Sequence, residues 1–583
     1  MSEKDDISNG EVDYDQLLSS AGEFGRYQWF LFFATFPFYI FGTFSYYSQI
    51  FMTEPAQNHW CWVPELANLS EHERRTLAIP SDNDGRFGYS QCTVYSANWS
   101  DVLISGIKPN ESWPTESCQN GWEFDKSEIP YPTVSSDWGW VCDKDSYQAT
   151  AQSVFFLGCI LGGFVVGWVA DKFGRVPAAV FANIIGCIAG VASTFTTSFL
   201  EFSICRFFMG MSYDNCMMMM YLLVLEFVAP KYRTIIANLP FAIFYTLGVS
   251  ALPWISLACG HWKTIGLVTS STMALAIFTP FIVPESPRWL LSKGRVDEAI
   301  NKLVKIGEVN KKEIPSKLIE QFKLSIKSEK KQKSLSSLEL LKRPILRKIF
   351  ITMCVVYMCC MIVFDALVRS VGSLGFDFFL SFTLVSLTEF PSLVIVAFVL
   401  DLTGRKWLTI ISFSLCCIFS IATAFVGGGL QSVLCAVVAR FCVNIATNTS
   451  IQWAAEMLPT PVRGSGTSIV HICGYLATVI SPYVVYLETY IIWLPLVIVG
   501  SLAGLGAVLA FILPETARRD MPQTFEEAEE LIRDQKLFDI PFLEKKKRET
   551  SGHINSSFQM IEKFIFLFKF IVHSHNRLTI RPH

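Results

Sequence analysis

Apolar residues run through this chain in blocks of about twenty, the length that crosses the hydrocarbon core of a bilayer as a helix, while polar residues collect between the blocks. Twelve such blocks predict twelve helical spans, near 27–52, 147–170, 178–198, 200–225, 235–259, 262–283, 347–369, 376–400, 407–427, 430–455, 466–487 and 489–513. The first block follows a polar head, Met1 to Gly25, that lacks the short apolar core and small-residue cleavage site of a signal peptide. It is therefore expected to be retained as a span.

Composition agrees with a polytopic, all-α membrane protein. Of 583 residues, 51% are hydrophobic and only 17% charged, far from the usage of soluble domains. The net charge of −3 favours no partner, and no basic stripe points to nucleic acid. The chain has no phosphate-cradling G-x-x-x-x-G-K-[ST] loop, no H-E-x-x-H and no G-x-S-x-G after a strand, so neither an enzyme nor an ATP-driven pump is expected, and no cofactor or metal.

Charge becomes informative loop by loop. Residues 284–348 carry 17 Lys/Arg against 8 Asp/Glu, and the short turns 170–177 and 226–234 are basic as well, which places these loops and both termini in the cytoplasm. The long 53–146 segment, with 6 Lys/Arg against 15 Asp/Glu, is then outside. It holds Cys61, Cys92, Cys118 and Cys142, expected as disulfides whose three possible pairings sequence cannot separate. The other thirteen cysteines fall inside predicted spans, as small apolar fillers. Three Asn-x-Ser sequons, at Asn68, Asn98 and Asn110, predict glycosylation of the same segment.

A repeat at one fixed offset organises the rest. GWVADKFGRVP (167–177) returns as AFVLDLTGRKW (397–407), EFVAPKYR (226–233) as EMLPTPVR (456–463), and PESPRWL (284–290) as PETARRD (514–520), all 230 residues apart. Two six-helix halves follow, related by an axis along the membrane normal, with a substrate site expected near the midplane between them. The predicted organisation is a cytoplasmic N-terminus (1–26), a first half (27–283), a cytoplasmic linker (284–346), a second half (347–513) and a cytoplasmic tail (514–583). In that tail FIFLFKFIV (564–572) is too short to span.

The repeated loops read as a gate. Gly167 and Gly174 permit close helix approach and a tight turn, while Asp171, Arg175, Glu226 and Arg233, with Asp401, Arg405, Glu456 and Arg463 in the second half, are charges at helix ends that can pair when the cytoplasmic side closes. The alternative is that the basic residues only set topology. Ala397 stands where the first half has Gly167, which predicts a slightly looser second turn.

These loops resemble the G-x-x-x-D-x-x-G-R signature of the major facilitator superfamily. GEFGRYQ (22–28), CQNGWEFDKS (118–127) and DWGWVCD (137–143) resemble more narrowly the organic cation, anion and carnitine transporters, in a pattern similar to insect amine and carcinine transporters. The resemblance covers residues 20–535. It implies the twelve-helix facilitator fold in two six-helix halves with a large outer loop between the first two helices, and movement of small organic ions across the plasma membrane without ATP.

Within the spans, charged residues are functional candidates because burying them is costly. Asp214 and Asp365 stand out. The resemblance places Asp214 where cation-transporting relatives carry a lysine, and Tyr475 where they carry an aspartate and anion or carnitine transporters an arginine. A carboxylate has in effect moved from span eleven to span four, where it can pair with an ammonium. The bland alternative is an ion pair of Asp214 with Arg206, Arg440 or His471. His471, one turn before Tyr475, changes charge near neutral pH. Tyr221 and Tyr357 match cavity tyrosines of the family and Asn448 a cavity glutamine; ring faces attract organic cations. Phe244 and Tyr245 are plausible neighbours, and the run Met217 to Met220 can turn only one or two side chains inward. The expected function is transport of a small organic cation or zwitterion. The alternatives are an organic anion transporter, or a receptor built on the transporter fold.

Overall fold

The computed structural model describes residues 13–82, 87–106, 109–110, 112–328, 338–517, 519 and 521–533. The tail segment 564–572 and position 518 of the third repeat lie outside these residues. Among the described residues, ten helices are long and apolar enough to cross a membrane: α1 (Arg26–Thr53), α2 (Cys142–Phe173), α3 (Arg175–Ser193), α5 (Asn238–Cys259), α6 (Trp262–Ile282), α7 (Pro344–Leu374), α8 (Phe378–Thr403), α9 (Arg405–Phe425), α10 (Leu430–Met457) and α11 (Thr460–Thr489). Between α3 and α5 lies the 28-residue α4 (Phe199–Glu226), which carries Arg206 and Asp214, and the last is the shorter apolar α12 (Leu494–Ala510).

The repeated loops fold alike for a reason visible in their glycines. Gly174 and Gly404 separate α2 from α3 and α8 from α9 with φ of 116° and 84°, a backbone that side chains resist. A Cβ at either would also lie 2.2 or 2.3 Å from a carboxylate oxygen, of Glu285 or Glu515 respectively. Those two carboxylates receive the first backbone N–H groups of the next helix: Arg175 and Val176 donate to Glu285 at 2.9 and 3.1 Å, and Arg405 and Lys406 to Glu515 at the same two distances. A helix N-terminus carries unsatisfied donors and partial positive charge, so an acid is well placed there. The second turn is no looser than the first, contrary to the expectation from Ala397. Position 167 has open space around it, so Gly167 supports no close approach. Close approach occurs instead where Gly158 and Gly162 bring α2 onto α4, with would-be Cβ atoms 2.0 and 2.3 Å from the carbonyls of Phe207 and Met211.

The N-terminal GEFG stretch is fixed by one side chain. Asn310, at the end of a helix (Val296–Asn310), accepts from the Tyr27 N–H at 3.0 Å and donates to the Ala21 carbonyl and to Gln28. Its amide sits 2.2 Å from where a Cβ of Gly25 would be, which accounts for the glycine.

The two ends of the bundle differ. At the end that carries residues 54–145, aromatic side chains of the two halves interlock, Phe51 of α1 against Phe378, Phe379 and Phe382 of α8. Hydrogen bonds cross the seam there: Ser153 to the Val479 carbonyl at 2.8 Å, Tyr486 to Asp145 at 2.9 Å and Tyr483 to Thr150 at 3.1 Å. At the opposite end, which carries the repeated loops, the ion pairs among the described residues stay within one half.

The segment between α1 and α2 is a small module of its own. Strand β1 (His59–Cys61) pairs antiparallel with β4 (Trp122–Phe124), and β2 (Thr93–Tyr95) with β3 (Thr115–Ser117). Around these strands Trp60, Val63, Leu66, Val94, Tyr95 and Trp99 form a buried cluster. The pairing left open by the sequence is Cys61 with Cys118 and Cys92 with Cys142. Asn68, Asn98 and Asn110 are all exposed on this module.

Candidate functional site

The site is best built from α4 outwards. Arg206 and Asp214 lie eight residues apart on α4, as Arg440 and Asn448 do on α10, so the two halves present related pairs. Arg440 is buried and answered: Glu389 of α8 takes its Nη2 at 2.7 Å, Asn444 bonds the Thr388 hydroxyl at 3.1 Å, and the Phe364 ring lies 3.5 Å under the guanidinium. Arg206 is equally buried, donates to the Ser45 carbonyl at 3.4 Å and stands over the Phe155 ring at 4.9 Å. Neither arginine goes to Asp214, and no ion pair among the described residues joins it to His471, so the ion pair offered as the bland alternative is not among them.

Asp214 instead meets the other half. The Tyr475 hydroxyl of α11 faces its carboxylate, and Tyr357 of α7 and Tyr213 of α4 complete the surrounding polar rings. None of the ion pairs among the described residues includes Asp214, and the side chain keeps part of its surface accessible. His471 continues the wall, its Nδ1 3.4 Å from the Tyr357 hydroxyl and its ring 5.4 Å from that ring. The structure thus brings together Asp214, Tyr357, His471 and Tyr475, which are far apart in the chain.

Other predicted residues fall around or beyond this group. Tyr221 lies two turns along α4, half-buried and facing Tyr39 of α1. Asn448 is half-buried, with its amide turned back to the Asn444 carbonyl at 2.8 Å. Of the methionine run, Met217, Met219 and Met220 are buried and only Met218 keeps intermediate exposure. Phe244 packs on Phe32 and Phe36 and takes no part. Tyr245 bonds Tyr47 at 3.1 Å, presented by a π-helical turn, Phe241–Tyr245, that follows Pro240 and its missing N–H.

Asp365 requires correction. Proposed as a substrate ligand, it is buried with both oxygens occupied, one by Arg369 at 2.8 Å and the other by the Tyr46 hydroxyl of the opposite half. It fastens α7 to α1 and offers no free surface. Glu389 was missed altogether, although an acid in the apolar run LTEFPSLVI was signal enough.

The gate residues pair as their repeat suggests, but within halves. Arg175 meets Asp171 at 3.0 Å and Glu226 at 3.5 Å, and Arg405 meets Asp401 and Glu456, both at 2.9 Å. Arg233 and Arg463 both donate to a carbonyl five residues back, at 3.2 Å. The first half adds a further partner: Asp15, on a short helix (Tyr14–Ser20), receives Arg233 at 2.7 Å and also Arg288. In the outer module, His59 lies close to Cys92 and Cys142, but those two sulfurs are bonded to each other and offer no thiolate.

Comparison with known proteins gives three kinds of likeness. Residues 94–531 match the family described as sugar (and other) transporters. The carcinine transporter of Drosophila melanogaster is 29% identical over 537 residues, covering 89% of this chain and 79% of its own. The beta-alanine transporter of the same fly is 28% identical over 550 residues, covering 89% of each chain. The human organic cation/carnitine transporter 2 is 28% identical over 542 residues, covering 88% of this chain and 94% of its own. Among solved structures, the inward-open conformation of the xylose transporter XylE from E. coli covers 86% of this chain and 99% of its own at a TM-score of 0.55 and 15% identity, a likeness of fold.

Proposed function

The chain belongs to the sugar (and other) transporter family, with the major facilitator fold, and on that premise we propose that it carries small organic cations or zwitterions across the plasma membrane by alternating access, without ATP. The observation that carries the substrate class is Asp214: a carboxylate inside the bundle, at the contact of the two halves, facing Tyr475 and in no ion pair among the described residues. A buried carboxylate with no counter-ion is costly, and an ammonium group from outside the protein offsets that cost directly. The ring faces of Tyr357, Tyr475 and His471 suit the same cation. Carcinine, beta-alanine and carnitine, in the names of the relatives, each bear an ammonium group.

The module of residues 54–145 faces outward and both termini face the cytoplasm. This reading is supported by its two disulfides, its exposed sequons and the basic loops at the other end. The end sealed by the seam is then the outer one, and the chain is folded with its site closed to the outside.

Uptake of radiolabelled amines into vesicles, competed by zwitterions and organic anions, tests the assignment. Asp214→Asn is expected to abolish amine uptake while surface expression stays intact. Uptake unchanged in that variant would reassign Asp214 to structure, and competition by anions alone would overturn the substrate class.

A further inference from the structure

A glycine inside a membrane helix is explained by what lies against it, since it holds the helix less well than alanine does. Gly474 of α11 is buried one residue before Tyr475. A Cβ there would lie 2.7 Å from Cε1 and 2.9 Å from Cδ1 of the Tyr357 ring, and 2.9 Å from Cγ of Met361, both on α7. The ring therefore occupies the space that a side chain at 474 would fill. On its other sides it meets the site. Its hydroxyl is 3.4 Å from Nδ1 of His471, the two rings stand edge to face at 71°, and Asp214 lies within its electrostatic reach.

The 230-residue repeat sets this arrangement beside another. Residues 244 and 245 of α5 correspond to 474 and 475 of α11, with tyrosine at the second position in both halves. At the first position the halves differ. Phe244 carries its own ring and packs it on Phe32 and Phe36 of α1, away from the site. Gly474 carries none, and the ring is supplied by the facing helix, as a tyrosine whose polar tip borders the substrate's place. The glycine thus decides which helix contributes the ring and where that ring stands.

We propose that Gly474 is a specificity-determining position: having no side chain, it seats the Tyr357 ring against α11, and the room so left in front of Asp214 sets how bulky an ammonium head can be. This rests on the reading of Asp214 above as the partner of the substrate. Gly474 itself touches no substrate and acts through Tyr357. A methyl at 474 meets a close-packed interior, so its neighbours must move. Met361 yields by turning about its flexible chain, but the ring is a rigid plate and must swing off α11. That swing parts its hydroxyl from His471 and carries the ring into the room used by the substituents on the ammonium. A primary ammonium has little to lose there, whereas a quaternary one has three more arms to place.

Uptake of radiolabelled ethylammonium and tetraethylammonium by the purified full chain in proteoliposomes tests this. Gly474→Ala is expected to raise the ratio of KM for tetraethylammonium to KM for ethylammonium about tenfold, the effect of one carbon too many in a fitted pocket. Tyr357→Ala is expected to lower that ratio, and adding Gly474→Ala to it to change nothing further, because the ring through which the methyl acts is gone. Gly474→Ala with Met361→Ala, read against Met361→Ala alone, repeats the comparison in a chain with one of the two clashes removed, and there the same rise is expected. A ratio that Gly474→Ala leaves unchanged, with or without an equal loss for both amines, overturns the proposal; so does a full rise in the Tyr357→Ala background. Binding of the same two amines, read from the fluorine resonance of 3-fluorotyrosine encoded at 357, separates this claim from transport. Uptake of both amines with an unmoved ratio removes the selector and leaves transport standing. Binding without uptake, with the ratio of dissociation constants raised about tenfold by Gly474→Ala, removes transport and keeps the selector. A chain that neither binds nor carries either amine overturns both.

Discussion

A guanidinium taken out of water needs a counter-charge or a full set of acceptors, and Arg206 and Arg440, each 1% exposed, meet that demand differently. Arg440 has Glu389 at 2.7 Å and a ring beneath it; Arg206 has a carbonyl at 3.4 Å and a ring at 4.9 Å. Removing one member of a buried pair strands the other, a loss of about 3–5 kcal/mol. Glu389→Gln is therefore expected to lower the thermal stability of the purified protein by that order. Glu389→Gln combined with Arg440→Met should be milder than the single change, because no unpaired charge remains. A single variant as stable as the wild type would show that Arg440 finds other acceptors. The same accounting separates Asp214 from Asp365. Both are acids in spans, and only the surroundings tell that one is answered by Arg369 and Tyr46 while the other waits on a tyrosine.

At the scale of helices, α2 and α4 touch backbone to backbone because Gly158 and Gly162 leave room for it, in the small-residue manner of membrane helices. Gly162→Ala would drive a methyl to 2.3 Å from the Met211 carbonyl, so loss of folded protein in detergent is expected. Gly167→Ala, one turn and a residue further along the same helix, meets nothing and should stay within about 0.5 kcal/mol of the wild type. Equal effects at the two positions would refute this placing of the contact. These elements also show what a sequence can express. The long helices fall within a few residues of the predicted blocks because apolar length is a local property, and the 230-residue repeat located the Gly174 and Gly404 turns for the same reason. What was not legible depends on contacts between distant segments: the π-helical turn at 241–245, the crowding that demands Gly162 and leaves Gly167 free, the choice of Cys61 with Cys118, and the partner that neutralises Asp365. In the site, residue types foretold an acid and several rings, and folding supplied their grouping, Asp214 with Tyr475, Tyr357 with His471.

Over the whole molecule, one end is sewn across the halves, while at the other the ion pairs among the described residues stay within each half. If the transport cycle requires that asymmetry to reverse, a covalent stitch on the sewn end must stop it. Ser153 of α2 donates to the Val479 carbonyl of α11 at 2.8 Å, so the two backbones approach closely there, below the polar contacts of Tyr483 and Tyr486. Cysteines at both positions, Ser153→Cys with Val479→Cys, are expected to form a disulfide under mild oxidation. Uptake should then fall to background and return on reduction, with each single variant and the wild type as controls for the native pairs Cys61–Cys118 and Cys92–Cys142. The result separates two pictures of the bundle. In a rocking carrier the seam opens in every turnover, and even one bond across it is decisive, because the interlocked rings of Phe51, Phe378 and Phe382 must come apart together. In a protein that binds and releases from one side only, the stitch would leave ligand exchange at the repeated-loop end untouched. Uptake that persists in the fully cross-linked protein would therefore end the alternating-access proposal, whatever Asp214 binds.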